Sequence, residues 1–397
     1  MANLLDYIDW RGDIPVHFDG FGEVDNLILA ELSFVRLSGI VPGTGEDGSV
    51  TLRDAAKECF LRWMDGEALS NAIAPDRIIE LLRRAAASER FGTMRLSGYE
   101  EIFSEEHEQQ FAALTFEVGD GTVYCAFRGT DDTLIGWKED FNMGFMDAIP
   151  SQKSALQYLM RAAARYSGMR LRVGGHSKGG NLAVYSAANA DEAVQSRILR
   201  IYNNDGPGFN RDLSKDTGYR RIESRILSVM PQSSVVGKIM EHEENATIVR
   251  STASGIGQHN GFTWQVRGRH FEHLEDFSRE GKRTEETLES WAAELSPEQR
   301  EAFVGALYEV LSGTGARTLG ELSEDKLQSA AAMLKTYRNL DDQTRTALSG
   351  AMGLLLRLNA KSVLNDVQEA GGRELDGLRH RLESLWRRFG GWDSEKE

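Results

Sequence analysis

The amino-acid sequence predicts an α/β fold with a mostly parallel central sheet and a C-terminal helical appendage. Two patterns support this prediction. Between residues 111 and 266, short runs of apolar and β-branched residues alternate with helical patterns, which is typical of parallel strands joined by right-handed crossover helices. After about residue 278 the strand patterns stop and only helical patterns follow. We therefore expect an α/β domain over residues 1–278 and a helical region over residues 279–397.

The N-terminal part of the domain is predicted to be helical. Residues 24–37 carry the apolar pattern of a mostly buried helix, and residues 51–90 form a charged, amphipathic stretch. The segment 51–95 has two interpretations. It forms either a helical cap over a pocket or an ordinary packed layer of N-terminal helices.

Seven strands are predicted from short runs rich in β-branched and aromatic residues. They cover residues 111–118, 122–127, 171–173, 199–203, 226–230, 246–249 and 263–266. The sequence Gly-Asp-Gly separates the first two strands and is a hairpin signal. Helices are expected over residues 152–166 and 181–189, between the later strands.

A clear helix start lies within the appendage. Ser296 is a candidate N-cap, Pro297 occupies the first turn, and Gln299 follows three residues after the cap. Further helical runs follow Ser323 and Asp341. These signals predict at least three helices after residue 278.

The end of the sequence combines apolar, basic and aromatic residues. Residues 375–389 carry a leucine stripe typical of an amphipathic helix. Residues 385–392 include tryptophans and arginines, a composition that suits a membrane surface. Because this fragment is short and the chain is acidic, a terminal helix docked on the appendage is the preferred interpretation.

The composition limits the classes of partner and site. A formal net charge of −15 argues against a general nucleic-acid binder, which needs a basic surface. Only Cys59 and Cys125 are present, which allows one disulfide at most and excludes a cysteine-based zinc site. The N-terminus lacks the pattern of a secretion signal, and no run approaches about 18 apolar residues. We therefore expect a cytoplasmic protein. No metal or organic cofactor is expected.

The strongest chemical signal is the sequence Gly-His-Ser-Lys-Gly at residues 175–179. A short predicted strand precedes it and a helix of small residues follows, which is the context of a nucleophile elbow. Glycines two before and two after Ser177 let the backbone turn sharply, so that the serine hydroxyl stands clear of the sheet. The N–H of Lys178, at the helix start, then favours a developing oxyanion. The alternatives are a glycine-rich turn without chemistry and, less in agreement with the spacing, a phosphate-binding loop.

A second motif lies upstream, at the end of the strand predicted over residues 122–127. Phe-Arg-Gly-Thr ends at Thr130, and Trp137 and Asp140 follow. Together with the elbow, these residues resemble the class 3 lipases of the α/β-hydrolase superfamily, and the chain over about residues 3–275 looks closer still to a bacterial branch of it. The resemblance implies an α/β-hydrolase fold. It also implies that Thr130 contributes its backbone N–H, with or without its hydroxyl, to an oxyanion hole. The alternative for Thr130 is a turn residue that caps the next element.

The general base must be a histidine downstream of Ser177, since α/β-hydrolases order their triad as serine, acid, histidine. His259 lies in a polar, glycine-containing loop between two predicted strands, and the resemblance selects the same residue. There are four other candidates. His242 lies among glutamates, His270 and His273 lead into the appendage, and His380 lies near the end of the sequence. His176 is expected to be structural or orienting.

The acid is where the sequence departs from the class 3 lipases. The segment that should carry it contains Ser233 and Ser234 but no carboxylate. Asp205, after the strand predicted over residues 199–203, is the replacement that we predict; the alternatives are a simple turn aspartate and an incomplete triad. Lys178 stands where lipases carry an apolar residue. Its ammonium could assist catalysis, bind an anionic substrate or face solvent.

These residues predict a serine hydrolase that cleaves an ester or thioester of a small acyl or lipid-like molecule through an acyl-enzyme. Ser177 attacks, His259 transfers the proton, Asp205 orients the imidazole, and the N–H groups of Lys178 and Thr130 hold the oxyanion. Two other functions use the same sequence features. One is a hydrolase-fold binding or scaffold protein with weakened catalysis, and the other is an acyltransferase.

Overall fold

The computed structural model describes residues 2–70, 72–240, 246–318, 321, 326–342, 344–346 and 348–354. Several sequence predictions lie outside these residues. They are the role of His242, the helix start at Ser323, His380 and the C-terminal patterns over residues 375–392.

A nine-stranded sheet forms the centre of the molecule, and its strands lie in chain order apart from a small hairpin near the end. The strands are β1 (Val50–Thr51), β2 (Arg95–Ser104), β3 (Gln109–Glu117), β4 (Thr122–Phe127), β5 (Arg170–His176), β6 (Ile198–Asn204), β7 (Ile226–Pro231), β8 (Ala246–Val249) and β11 (His273–Leu274), with β9 (Val266–Arg267) and β10 (His270–Phe271) in the hairpin. Strands β4 to β8 are parallel. The strands at both margins pair antiparallel, so the sheet is mixed with a parallel core.

Helices cover both faces of this sheet. Those described are α1 (Leu4–Arg11), α2 (Val16–Asp19), α3 (Glu23–Leu32), α4 (Leu52–Met64), α5 (Pro75–Ala87), α6 (Glu89–Gly92), α7 (Leu134–Asn142), α8 (Pro150–Arg165), α9 (Lys178–Asn189), α10 (Glu192–Gln195), α11 (Thr217–Ile222), α12 (Arg279–Glu294), α13 (Pro297–Ser312) and α14 (Lys326–Asn339). This arrangement is the predicted α/β-hydrolase fold. None of the helices in the described part of the chain is both long enough and apolar enough to cross a membrane.

The two faces of the sheet carry separate hydrophobic cores, and β4 contributes to both. Tyr124 and Ala126 belong to the core shared with α1, α3 and α5. Val123, Cys125 and Phe127 belong to the core shared with α8 and α9. A strand buried on both faces needs a continuous apolar run rather than an alternating one, which is the pattern that predicted this strand.

The N-terminal helices form a layer on one face of the sheet. Helix α5 packs against α1, α3 and α4, and side chains of all four helices join one core with the sheet. Of the two interpretations of residues 51–95, these contacts agree with a packed helical layer. Cys59 of α4 and Cys125 of β4 are both buried free thiols.

Several strand assignments differ from the sequence prediction. The two-residue strands β1, β10 and β11 lie outside the seven predicted strands. The strand predicted over residues 263–266 is displaced: Gly261–Thr263 forms a 3-10 turn that the side chain of Asn260 caps, Trp264 makes only an isolated bridge with Ser251, and the strand itself is Val266–Arg267. Strand β2 was not predicted. It carries the charged residues Glu100 and Glu101 and a break in register after Ser97, so its outer half lacks an apolar pattern.

The helices after residue 278 build a small core of their own. Helix α13 begins as predicted, with Ser296 and Gln299 in a reciprocal capping box. The side chains of this core come from α13 and from neighbouring residues of the appendage, and Phe145 packs against them from the segment after α7. The backbone N–H of Leu134 also donates to the carbonyl of Arg317 at 2.9 Å.

This separation leads to a prediction about truncation. A chain that lacks residues 295–397 should keep a cooperative thermal transition, because neither core of the sheet includes a residue from that region. Its Tm should be a few degrees lower than that of the full chain, since Phe145 and the start of α7 lose their contacts. Circular dichroism melting of both proteins measures this. An insoluble product, or melting without a transition, would rule out an independent appendage.

Candidate active site

The loop between β5 and α9 turns sharply at Ser177. This serine has φ +57° and ψ −133°, a strained backbone conformation for a residue with a side chain. A Cβ atom at Gly175 would lie 2.3 Å from the carbonyl carbon of Gly179, and one at Gly179 would lie 2.1 Å from the carbonyl oxygen of Phe127. Only glycine fits at these two positions. The close packing of β4, β5 and α9 therefore presents Ser177, half-buried, at the carboxyl end of the parallel strands.

The structure brings Asp205 and His259 into contact. Nδ1 of His259 lies 2.7 Å from Oδ2 of Asp205. Asp205 is fully buried and follows β6 directly, whereas His259 ends a 3-10 turn and keeps 21% of its side chain exposed. The imidazole ring stacks on the ring of His176 with centroids 4.6 Å apart. The pair therefore lies next to the residue that precedes the elbow serine.

One of the two serines that stand in the segment expected to carry the acid supports Asp205 instead. The hydroxyl of Ser234 donates to Oδ1 of Asp205 and accepts from the N–H of Gly237. The hydroxyl of Ser233 lies 2.6 Å from that of Ser278, at the start of α12. Only Ser234 of the two thus bonds to the buried acid.

Thr130 lies beside the elbow because Gly129 packs directly on it. A Cβ atom at Gly129 would lie 2.5 Å from the carbonyl oxygen of His176 and 3.2 Å from Cβ of Ser177. The hydroxyl of Thr130 donates to Oδ2 of Asp140 at 2.5 Å. Burial raises the pKa of Asp140 to about 6, although the Lys178 ammonium and the Thr130 hydroxyl act in the opposite direction. The Thr130 hydroxyl is therefore committed to a carboxyl group of α7.

The side chain of Lys178 does not face solvent, which corrects one of the three alternatives for it. Its ammonium is fully buried and donates to Oε2 of Glu139 and to both oxygens of Gln110, each at 2.9 Å. Glu139 also accepts from the N–H of Gln110 and from the N–H and hydroxyl of Ser151. An internal ion pair with every polar atom bonded leaves the ammonium no free proton to offer an anionic substrate, and only the backbone N–H of Lys178 remains for an oxyanion.

Neither Glu139 nor the helix that carries it was predicted from the sequence. Helix α7 follows Thr130 closely and begins at Leu134, with the side chain of Thr133 as its N-cap. The signal that could have found this pair is Lys178 itself, because a lysine at the start of a buried helix needs an acidic partner. No residue pattern indicated which of the acids it would be.

Two other histidine candidates are held elsewhere. Nδ1 of His270 lies 3.3 Å, and Nε2 of His273 lies 2.8 Å, from the same carboxylate oxygen of Glu23. They are thus paired with the start of α3. Within the described ranges, no group of three or more histidine, cysteine, aspartate or glutamate side chains is arranged to hold a metal ion.

The buried ion pair predicts a large effect on stability. Lys178→Met should lower the free energy of unfolding by about 3–5 kcal/mol, because Glu139 then stays buried without its countercharge. Lys178→Met combined with Glu139→Gln should recover part of that loss, since the uncompensated charge is gone. Urea unfolding of the wild type, both single variants and the double variant tests this. If the two single effects simply add, the pair makes no net contribution.

Comparison with known proteins gives similar solved structures but no match among curated proteins. The lipase of Rhizomucor miehei in a propeptide complex is 13% identical, with a TM-score of 0.33 over 56% of this chain and 83% of that chain. The mono- and diacylglycerol lipase of Aspergillus oryzae is 13% identical, with a TM-score of 0.37 over 70% of this chain and 88% of that one. A mutant form of MDLA from Penicillium cyclopium is 13% identical, with a TM-score of 0.36 over 62% of this chain and 82% of that one.

A family model gives the more specific result. The model described as Mbeg1-like matches residues 85–309, which is more than half of the chain. The matched region contains the elbow at Ser177, the Asp205–His259 contact and the Lys178–Glu139 pair. The chain therefore belongs to the Mbeg1-like family.

Proposed function

We propose that this protein is a serine hydrolase that cleaves an ester or thioester through an acyl-enzyme. The observation that carries the proposal is the 2.7 Å contact between His259 and a fully buried Asp205, beside an elbow serine with positive φ. A strained serine next to a histidine–carboxylate pair is the arrangement that activates a hydroxyl nucleophile.

The hydrogen bonds of Asp205 decide which tautomer His259 adopts. A carboxylate only accepts, so the contact with Nδ1 means that this nitrogen carries the proton. Nε2 is then free to take the proton from the hydroxyl of Ser177 as the serine attacks the acyl carbon. The carboxylate offsets the positive charge of the imidazolium that forms, and the imidazolium returns its proton to the leaving group.

The oxyanion of the tetrahedral intermediate needs donors on the other side of Ser177. The N–H groups of Thr130 and Lys178 are proposed for this role, because Gly129 packs on the elbow and Lys178 is the first residue of α9. The hydroxyl of Thr130 is bonded to Asp140, which holds this segment of backbone in place. Water then attacks the acyl-enzyme by the same steps in reverse, so that the proposed reaction uses only these side chains, backbone groups and water.

The substrate is proposed to be a small acyl or lipid-like ester. The alternative of a scaffold protein with weakened catalysis was based on the missing carboxylate near Ser233 and Ser234. Asp205 supplies a carboxylate to His259, which removes that reason for preferring a scaffold. Acyl transfer to an acceptor other than water uses the same residues and differs only in the product.

The nucleophile can be tested directly. Wild-type protein should react with a fluorophosphonate probe, and Ser177→Ala should abolish the labelling because no other hydroxyl is presented on a comparable turn in the described residues. The matched control is Ser167→Ala, which removes an exposed hydroxyl and should label like the wild type. Hydrolysis of p-nitrophenyl esters of graded length should follow the same pattern. Unlabelled wild-type protein beside a labelled serine hydrolase would refute the proposed function.

The acid has its own test. Asp205→Asn keeps the shape of the side chain but no longer fixes the Nδ1–H tautomer or offsets the imidazolium, so kcat should fall by up to about 10⁴-fold. Ser233→Ala is the control, since its hydroxyl bonds to Ser278 and not to Asp205. Steady-state kinetics on the best ester measures both. Equal kcat values for Asp205→Asn and Ser233→Ala would show that Asp205 has no role in turnover.

A further inference from the structure

A chain of buried polar groups leads from α3 to the backbone of His259. Oε1 of Glu31, near the end of α3, lies 3.2 Å from Nδ1 of His176. On the other side of the same ring, Nε2 lies 2.8 Å from the carbonyl oxygen of His259. Both Glu31 and His176 are buried, with 5% and 7% of their surface exposed. Neither group has a part in the reaction steps proposed above.

The proton positions in this chain follow from what each atom can do. A carbonyl oxygen only accepts, so Nε2 of His176 must carry a proton. If the ring is neutral, Nδ1 has a lone pair, and Glu31, whose Oε1 lies 3.2 Å away, faces that lone pair favourably only as a carboxylic acid. If the ring is charged, Glu31 must be a carboxylate.

The surroundings favour the neutral form. Burial raises the pKa of Glu31 to about 8 and lowers the pKa of His176 to about 3. A charged His176 would also lie 4.6 Å, between ring centroids, from an imidazole that must become positive during the proposed reaction. Two stacked cations would oppose proton transfer to His259, whereas a neutral His176 does not.

We propose that Glu31, carrying its proton, and His176 are positioning residues that hold the backbone of His259, and thereby its imidazole, against the elbow serine; this inference rests on the proposed function. The turn that ends at His259 is fixed at two successive carbonyl groups. His176 donates to that of His259, and the indole of Trp264 donates to that of Gln258 at 2.8 Å. Glu31 also packs under this turn, since a Cβ atom at Gly261 would lie 3.1 Å from its Oε1.

Few other ionisable groups bear on Glu31. His176 on β5 faces it directly, with His259 stacked behind. Other ionisable groups of α3 and of the elements packed around it have partners of their own: Glu23 with His270 and His273, Asp25 with Arg90 and Tyr7, Tyr124 with Asn26, Arg84 with Glu80 and Asp9, and Arg172 with Asp120. We therefore expect the burial of Glu31 to determine its pKa.

We expect the pH–rate profile of the wild type to have an alkaline limb, that is, a loss of kcat at high pH. As pH rises through about 8, Glu31 loses its proton, and its carboxylate then lies 3.2 Å from the lone pair of Nδ1 of His176 and repels it. The turn then loses its alignment, so kcat should fall by about tenfold or more between about pH 7 and pH 9.5 while KM changes little.

Substitutions of Glu31 distinguish a role in positioning His259 from a role in packing alone. Glu31→Gln donates an amide N–H to Nδ1 at every pH, so its kcat at about pH 7 should match the wild type and the alkaline limb should disappear. Glu31→Leu has no donor and should show a reduced kcat at all pH values. Glu23→Gln removes another buried carboxylate of α3 that does not contact His176, and it should keep the limb of the wild type.

Thermal melting tests the protonation of Glu31 without an activity assay. A buried acid with a raised pKa contributes stability at low pH and loses it as pH rises from about 4.5 to about 8, because the unfolded chain releases the proton first. Relative to the wild type, Glu31→Gln should therefore gain Tm between pH 5 and pH 8.

The closing experiment combines pH–rate profiles with hydrogen exchange of residues 255–264 in the wild type and Glu31→Gln. We expect faster exchange in the wild type than in Glu31→Gln at pH 9 and equal exchange at pH 7. If the wild type is active and both proteins share the same alkaline limb, the positioning inference is wrong. If the exchange difference appears but the wild type neither hydrolyses esters nor reacts with fluorophosphonate, the proposed function fails while Glu31 still holds the turn. Equal exchange at pH 9 overturns the inference whatever the activity.

Discussion

The buried ion pair between Lys178 and Glu139 joins four elements at the point where the elbow begins. Lys178 is the first residue of α9, Glu139 belongs to α7, Gln110 to β3 and Ser151 to the first turn of α8. A charge in a buried setting is tolerated only when its partner and its remaining hydrogen bonds are all in place. The position of α7 is thus coupled to that of the elbow.

This coupling reaches the candidate oxyanion hole. Asp140 follows Glu139 on α7, and its Oδ2 accepts from the hydroxyl of Thr130. Oδ1 of the same carboxyl lies 3.8 Å from the Lys178 ammonium. Lys178 therefore helps to fix α7 through Glu139, and the next residue of that helix, Asp140, holds the hydroxyl of Thr130.

The sequence predicted the parts of the site that depend on local pattern, and missed those that depend on distant partners. Gly175 and Gly179 are required by backbone contacts that any strand–turn–helix elbow makes, so Ser177 could be placed without a structure. Asp205 could be proposed because the carboxyl ends of parallel strands meet at one edge. Glu139 and Glu31 could not be assigned, since each is defined by a partner more than 35 residues away in the chain. The outer half of β2 was missed for a related reason: its pairing with β3, rather than an apolar pattern, makes it a strand.

Helix α3 shows how one buried element can set both members of the histidine–carboxylate pair. All ten of its residues are buried, although four of them are polar or charged, and a buried polar group must be bonded to remain there. Asn26 donates to Asn204, which in turn donates to the carbonyl of Gly175 and directly precedes Asp205. Glu31, further along the helix, reaches His259 through His176. The same helix thus contacts the strand that ends just before Asp205, the strand that leads to Ser177 and, through the ring of His176, the turn that carries His259. A shift of α3 would therefore disturb the surroundings of all three residues together.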